Sequence, residues 1–253
     1  MGKSFRGVFL IIVLVILLIV FGVILSTGKF NFKKTYAPST AVSKILPRFR
    51  LIDLDKLSVK TDANNNGNND SRDILIGAKK QLEIKAQNIF IKGSGQSNYY
   101  KGGDPPEQWA LNTDIIARAF KEAGFDLRTL INEDITKNIK KYPLKAIWNQ
   151  NVPDIDIDYR RIQNMEVFFK RKADSLNIRF DPANEENLNT WFPGDVVFFD
   201  MDRDGYTDNV GIISDLTTRN GTPKVIYNYI DPGYTAEANI LGNKIITGHY
   251  RFP

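Results

Sequence analysis

Two stretches of the chain place oxygen-bearing side chains at alternate positions. In "DANNNGNNDSRD", counting Asp62 as position 1 puts Asn64 at 3, Asn66 at 5, Gly67 at 6, Asp70 at 9 and Asp73 at 12. That is the spacing of a calcium loop, in which alternating oxygens converge on one ion and glycine permits the sharp turn. The departure is Asp at position 12, whose arm is shorter than the usual Glu. The plain alternative is a flexible Asn-rich turn. In "DMDRDGYTDN", Asp200, Asp202, Asp204, Gly205 and Asp208 stand at 1, 3, 5, 6 and 9, with Gly211 at 12. This is not an EF-hand, but hairpin loops of the D-x-D-x-D-G kind also take calcium. Four close carboxylates repel one another without a cation; a solvated acidic turn is the alternative. We expect calcium at both loops, with the weak affinity of ~10⁻⁴–10⁻³ M that suits extracellular modules.

A third stretch, "PPEQWALNTDIIARAF" at 105–120, reads as a rigid turn feeding a helix. Thr113 and Asp114 are a conceivable nucleophile and base. No residue here supplies the base that a threonine nucleophile needs. The better reading makes Asn112 the N-cap and Asp114 a favourable acid in the first turn. Other chemistries are excluded by composition. There is no cysteine, so no disulfide, thiolate or Cys-ligated zinc, and the lone histidine, His249, excludes His-pair zinc motifs. No Walker loop, G-x-G-x-x-G or G-x-S-x-G is present.

These residues need a scaffold. Leu75, Ala78, Leu82, Ala86 and Ile89 recur at helical spacing, as do Ile116, Ala119, Phe120 and Ala123, with Gly124 as a stop. "NEDITKNIKK" and "DYRRIQNMEVFFKRKA" read as further helices. After Pro193-Gly194 the period changes to strands: "DVVFF", "NVGIIS", "KVIYNYI" and "KIITGHYRF". Helices followed by strands predict an α+β domain with helices packed on an antiparallel sheet.

Val8 to Leu25 is an uncharged apolar run of eighteen residues. It predicts an uncleaved single-pass transmembrane helix within an anchor over 1–34; no A-x-A-like site follows it. Residues 35–61 read as a tether and 62–253 as one domain. The net charge of +5 is carried by the first 34 residues, which hold five basic and no acidic groups. The remainder balances 29 against 29, so nothing argues for nucleic acid. A short N-terminal tail that stays inside, together with weak calcium loops, places the domain outside the cytoplasm.

Seven phrases in order, "DILIGAKK", "YYKGGDPPE", "TDIIARAFKEAGFDL", "DYRRIQNMEVFF", "PGDVVFF", "VGIISD" and "ITGHYRF", resemble the bacterial family catalogued as domain of unknown function 1287. That family is grouped with the NlpC-type, papain-like cell-wall peptidases and amidases. The resemblance implies a cysteine at a helix start, a histidine opening a strand and a polar residue, often histidine, on the next strand. The family's G-V-C-T-D is here Ala110-Leu111-Asn112-Thr113-Asp114, its H-[IV]-G-I-V-S starts at Asn209, and its V-I-H-N reads Val225-Ile226-Tyr227-Asn228. Asn112, Asn209 and Tyr227 thus stand at the catalytic positions, and none supplies a thiolate or imidazole.

The resemblance therefore implies a pseudoenzyme of the bacterial envelope that binds a cell-wall peptide or an envelope protein. The alternatives are an amidase or peptidase using other residues, or a structural scaffold. Trp109, Tyr99 and Tyr100 flank the expected cleft and either line it or pack. One of Arg160 and Arg161 is expected to face it, the other to pair with an acid such as Asp158. His249 reads as a structural strand histidine.

Overall fold

The computed structural model describes residues 61–92 and 99–252. The expected anchor at 8–25 lies outside them, and among the described residues no helix is long and apolar enough to cross a membrane.

Helix α1 (Asp70–Ile84) starts where the Asn69 side chain accepts the Arg72 N–H at 2.8 Å, and it ends at Lys85 in the left-handed conformation. Its Ile74, Leu75 and Ala78 face inward. A short strand β1 (Gln87–Asn88) pairs in parallel with β2 (Trp109–Ala110). Helix α2 (Asn112–Glu122) follows at once and buries Ile115, Ile116, Ala119 and Phe120. Gly124, at φ 88°, then turns the chain away. Helix α3 (Leu127–Asn138) begins five residues before the expected segment. Asp126 caps it, accepting the Thr129 hydroxyl at 2.6 Å and the Arg128 N–H at 3.1 Å. Helix α4 (Leu144–Trp148) is short. The helix expected over 158–173 is two pieces: a 3₁₀ turn over Asp158–Arg160, then α5 (Ile162–Lys172), separated by the extended Arg161. A final short helix, α6 (Glu185–Leu188), precedes the long strands.

Six strands form one sheet: β3 (Asp174–Ser175), β4 (Val196–Asp200), β5 (Asn209–Thr217), β6 (Pro223–Asn228), β7 (Thr235–Ala238) and β8 (Ile245–Arg251). The order is β3-β8-β4-β5-β6-β7 and every pairing is antiparallel. Both faces are covered. Val196, Phe198, Val210, Ile212 and Ile226 join the helices in one core. Val197, Phe199, Ile213 and Val225 point the other way, onto Trp191, Ile240 and Leu241. Burial on both sides is why β4 reads as an unbroken apolar run and not as alternation. The fold class is α+β, helices on an antiparallel sheet.

Helices α1 and α2 cross closely because residue 77 is glycine. A Cβ there would lie 2.6 Å from the Ala119 carbonyl oxygen. At the other end of the helical layer, Asp134 accepts Arg171 at 2.6 Å, the Tyr142 hydroxyl at 2.6 Å and Lys172 at 3.1 Å. Burial alone would raise its pKa, but these donors outweigh that and hold the carboxyl below the usual carboxylate range. A depressed folded pKa contributes stability above the unfolded value of about 4 and loses it as pH falls below that. The denaturation midpoint should therefore drop through this acid window. In Asp134→Asn it should start lower at pH 7 and fall less steeply.

Candidate functional site

Helix α2 meets the sheet at the start of β5. The turn before it is held from inside: Arg118 donates to the carbonyl oxygens of Pro105 at 2.9 Å and Trp109 at 3.2 Å, and to Asp104 at 2.8 Å. The N-cap is Leu111, one residue earlier than expected, and Asn112 is the first helical residue. The cap has no side-chain acceptor, so Asp114 reaches back to the Leu111 N–H at 2.7 Å.

Asn112 and Asn209 come together here from 97 residues apart. Asn112 Nδ2 donates to Asn209 Oδ1 at 3.1 Å and to the Asp208 carbonyl at 2.9 Å. Its Oδ1 accepts the Thr113 N–H at 2.7 Å. Asn209 Oδ1 also accepts the Val210 N–H at 2.9 Å, while its Nδ2 is buried without a partner. Tyr227 sits one strand away, in register with Gly211. It packs with Val225 and Trp191 in the second core. Burial pushes its hydroxyl pKa up, helped by Asp231 and Tyr234.

Beneath the helix start lies a buried ion pair. Arg160 donates to Asp114 at 2.6 and 2.9 Å, with both side chains fully buried. Thr113 donates its hydroxyl to the Arg160 carbonyl at 3.0 Å. Asp114 and Thr113 are thus both engaged inside the protein. Neither arginine presents a free guanidinium to a cleft. Arg160 lies over the Tyr100 ring, 5.1 Å from its centroid. Arg161 pairs with Asp158 at 2.7 Å and stacks on Trp148. Tyr99 is exposed and Trp109 half-buried.

His249 is remote from this junction in its contacts. Its ring stacks on Trp191 with centroids 4.0 Å apart, Nε2 meets Asp195 at 3.0 Å and Nδ1 meets the Asn177 carbonyl at 3.1 Å. Arg251 shares Asp195 at 2.7 and 2.8 Å. A contact that sequence reading did not single out joins Lys79 to Ser214 at 3.0 Å. Burial alone would lower the Lys79 pKa, but Asp215 and Glu237 outweigh it and hold the lysine above its ordinary value. Ser214 is buried. Its hydroxyl also meets the Glu237 and Asp215 carboxylates, so lysine, serine and two acids form one network.

The two expected metal loops share a backbone conformation. Asp62 Oδ2 accepts the Gly67 N–H at 2.8 Å, and Asp200 Oδ2 accepts the Gly205 N–H at 3.0 Å. Position 4 is left-handed in both, at Asn65 and Arg203, and the glycines have φ 90° and 91°. In the second loop, ligand oxygens of Asp200, Asp202 and Asp208 lie within 4.8 Å of one another, while Asp204 stands apart. Burial raises the Asp208 pKa, and Asp202 and Asp200 add to it against the Met201 N–H and Tyr229 hydroxyl. The Tyr229 bond, 2.8 Å, is another contact that sequence reading missed. The loops grip opposite ends of α2: Asn64 donates to the Glu122 carbonyl at 2.8 Å, and Asp208 receives Asn112. Cavities of about 380, 280 and 210 Å³ open elsewhere, and none of these three is lined by Asn112, Asn209 or Tyr227.

Residues 77–252 match the family described as "Domain of unknown function (DUF1287)". The chain is similar to the uncharacterized protein YijF of Escherichia coli strain K12, with 32% identity over 179 residues, covering 71% of this chain and 80% of the relative. No solved structure matches. The loop from Asp62 to Asp73 lies before the matched segment.

Proposed function

The chain belongs to the DUF1287 family, and on that premise we propose that it is a non-hydrolysing relative of the NlpC-type cell-wall peptidases and amidases. On this reading residues 8–25 anchor it in the membrane, and the domain stands outside the cytoplasm and holds a cell-wall peptide or an envelope protein. One observation carries the reading. At the helix–strand junction where the resemblance expects thiol and imidazole, two amides bond each other at 3.1 Å. A neutral amide neither attacks a carbonyl nor takes a proton at neutral pH. Tyr227, at the third position, packs in an apolar cluster. The Asn209 Nδ2 is buried without an acceptor, which costs about 1–3 kcal/mol.

Incubating the full chain in detergent with peptidoglycan fragments should release no new amine or peptide above background, and Asn112→Ala should change nothing. Turnover that disappears in Asn112→Ala, or in Ser214→Ala, would make the protein an enzyme and overturn the reading.

A further inference from the structure

We propose that the loop from Asp62 to Asp73 is a binding site for one calcium ion. The proposal does not rest on the reading of the Asn112 site.

Two carboxylates three residues apart are buried in the first turn of α1: Asp70 is 0% and Asp73 1% exposed. Buried carboxylates normally meet a cationic partner. Among the described residues neither forms an ion pair with Lys, Arg or His. Asp70 Oδ1 accepts the Ala63 N–H at 2.8 Å, which turns the carboxylate to the loop, yet its Oδ2 is buried with no partner at all. A buried anionic oxygen without a donor calls for a positive ligand.

The rest of the loop supplies the remaining oxygens. Amide groups of Asn64, Asn66 and Asn68 converge on Asp73 at 2.9, 2.8 and 2.9 Å. The Oδ1 atoms of Asn64 and Asn66 accept the Asn66 and Asn68 N–H groups at 3.1 and 2.8 Å, and Asn64 Nδ2 also holds the Glu122 carbonyl. A cation seated in the loop would take the place of these amide donors on Asp73. Asp62, Asn64, Asn66, the Asn68 carbonyl, Asp70 and Asp73 make an all-oxygen set. Such a set on a flexible twelve-residue loop suits calcium better than magnesium, which demands a tight octahedron and keeps its waters.

The second loop has the same backbone but lacks a buried unpartnered oxygen, so it serves as the control. The full chain in detergent is stripped with chelator, checked by elemental analysis and titrated with calcium from ~0.1 to ~10 mM, the range of weak loops. Heat of binding should saturate, and the melting temperature should rise by about 3–6 °C at tenfold excess over Kd. Asp70→Asn should weaken binding about tenfold or more, as loss of one ligand charge does, without lowering the melting temperature in chelator. Asp200→Asn with Asp202→Asn should leave this binding in place.

Four outcomes overturn the site. The first is no heat and no shift in a calcium-free sample. The second is binding kept in Asp70→Asn and lost in the second-loop variant. The third is an Asp70→Asn variant that melts lower by the same amount with and without calcium, at unchanged affinity. The fourth is a magnesium shift equal to that of calcium.

Discussion

Arg160→Ala should lower the stability of the domain by about 3–5 kcal/mol, the range seen when one partner of a buried pair is removed. The shift in denaturation midpoint reads it. The reason is geometric. Arg160 holds both oxygens of Asp114, and neither side chain reaches solvent. Without the guanidinium, the Asp114 carboxylate keeps the Leu111 N–H and remains buried as an anion. Asp114→Asn should cost less, because the remaining arginine can still meet the Tyr100 ring. Replacing both partners with apolar residues of similar volume should recover much of the loss, although the Leu111 N–H then lacks its acceptor. A single-variant cost below about 1 kcal/mol, the surface-pair range, would mean the pair is solvated.

The second large effect concerns reactivity. The chain has no cysteine, so Asn112→Cys places a single thiol in the molecule. At the start of α2 the helix dipole favours the thiolate. Adding Asn209→His brings an imidazole to the residue that now touches Asn112. If the pair lowers the thiol pKa by one unit, alkylation near pH 6 speeds up about tenfold, since rate follows thiolate fraction there. Asn112→Cys alone is the baseline, and the double variant should exceed it by that factor. Equal rates would mean that Asn209 does not occupy the imidazole position. Tyr227→His should add a smaller increment, because Tyr227 lies in register with Gly211, two residues along the strand from Asn209.

Sequence pattern made some of this legible. The apolar run at 196–199 and the β-rich run beginning at Asn209 marked their strands, and helical spacing marked α1 and α2. Strand β7, "TAEA", escaped because four residues without an apolar run carry no period; pairing to β6 defines it. The break at Arg161 escaped because its cause is tertiary: Arg160 turns to Asp114, which stands 46 residues earlier. Loop spacing showed which side chains gather in each acidic turn. It did not show that the Asn amides aim their nitrogens at Asp73, since O and N alternate by rotation and not by sequence. The meeting of Asn112 with Asn209 was expected only through resemblance, because no local rule joins residues 97 apart.

Helix α2 is fastened at both ends, by Asn64 at Glu122 and by Asp208 at Asn112. Eleven residues make a rod about 16 Å long. A rod held this way transmits displacement along its axis and does not absorb it. Should both acidic turns take ions, this rod would join the two sites. Whatever factor an occupant of one turn imposes on affinity at the other, the second must impose on the first. The amide pair sits at one end of that rod, beside the second turn.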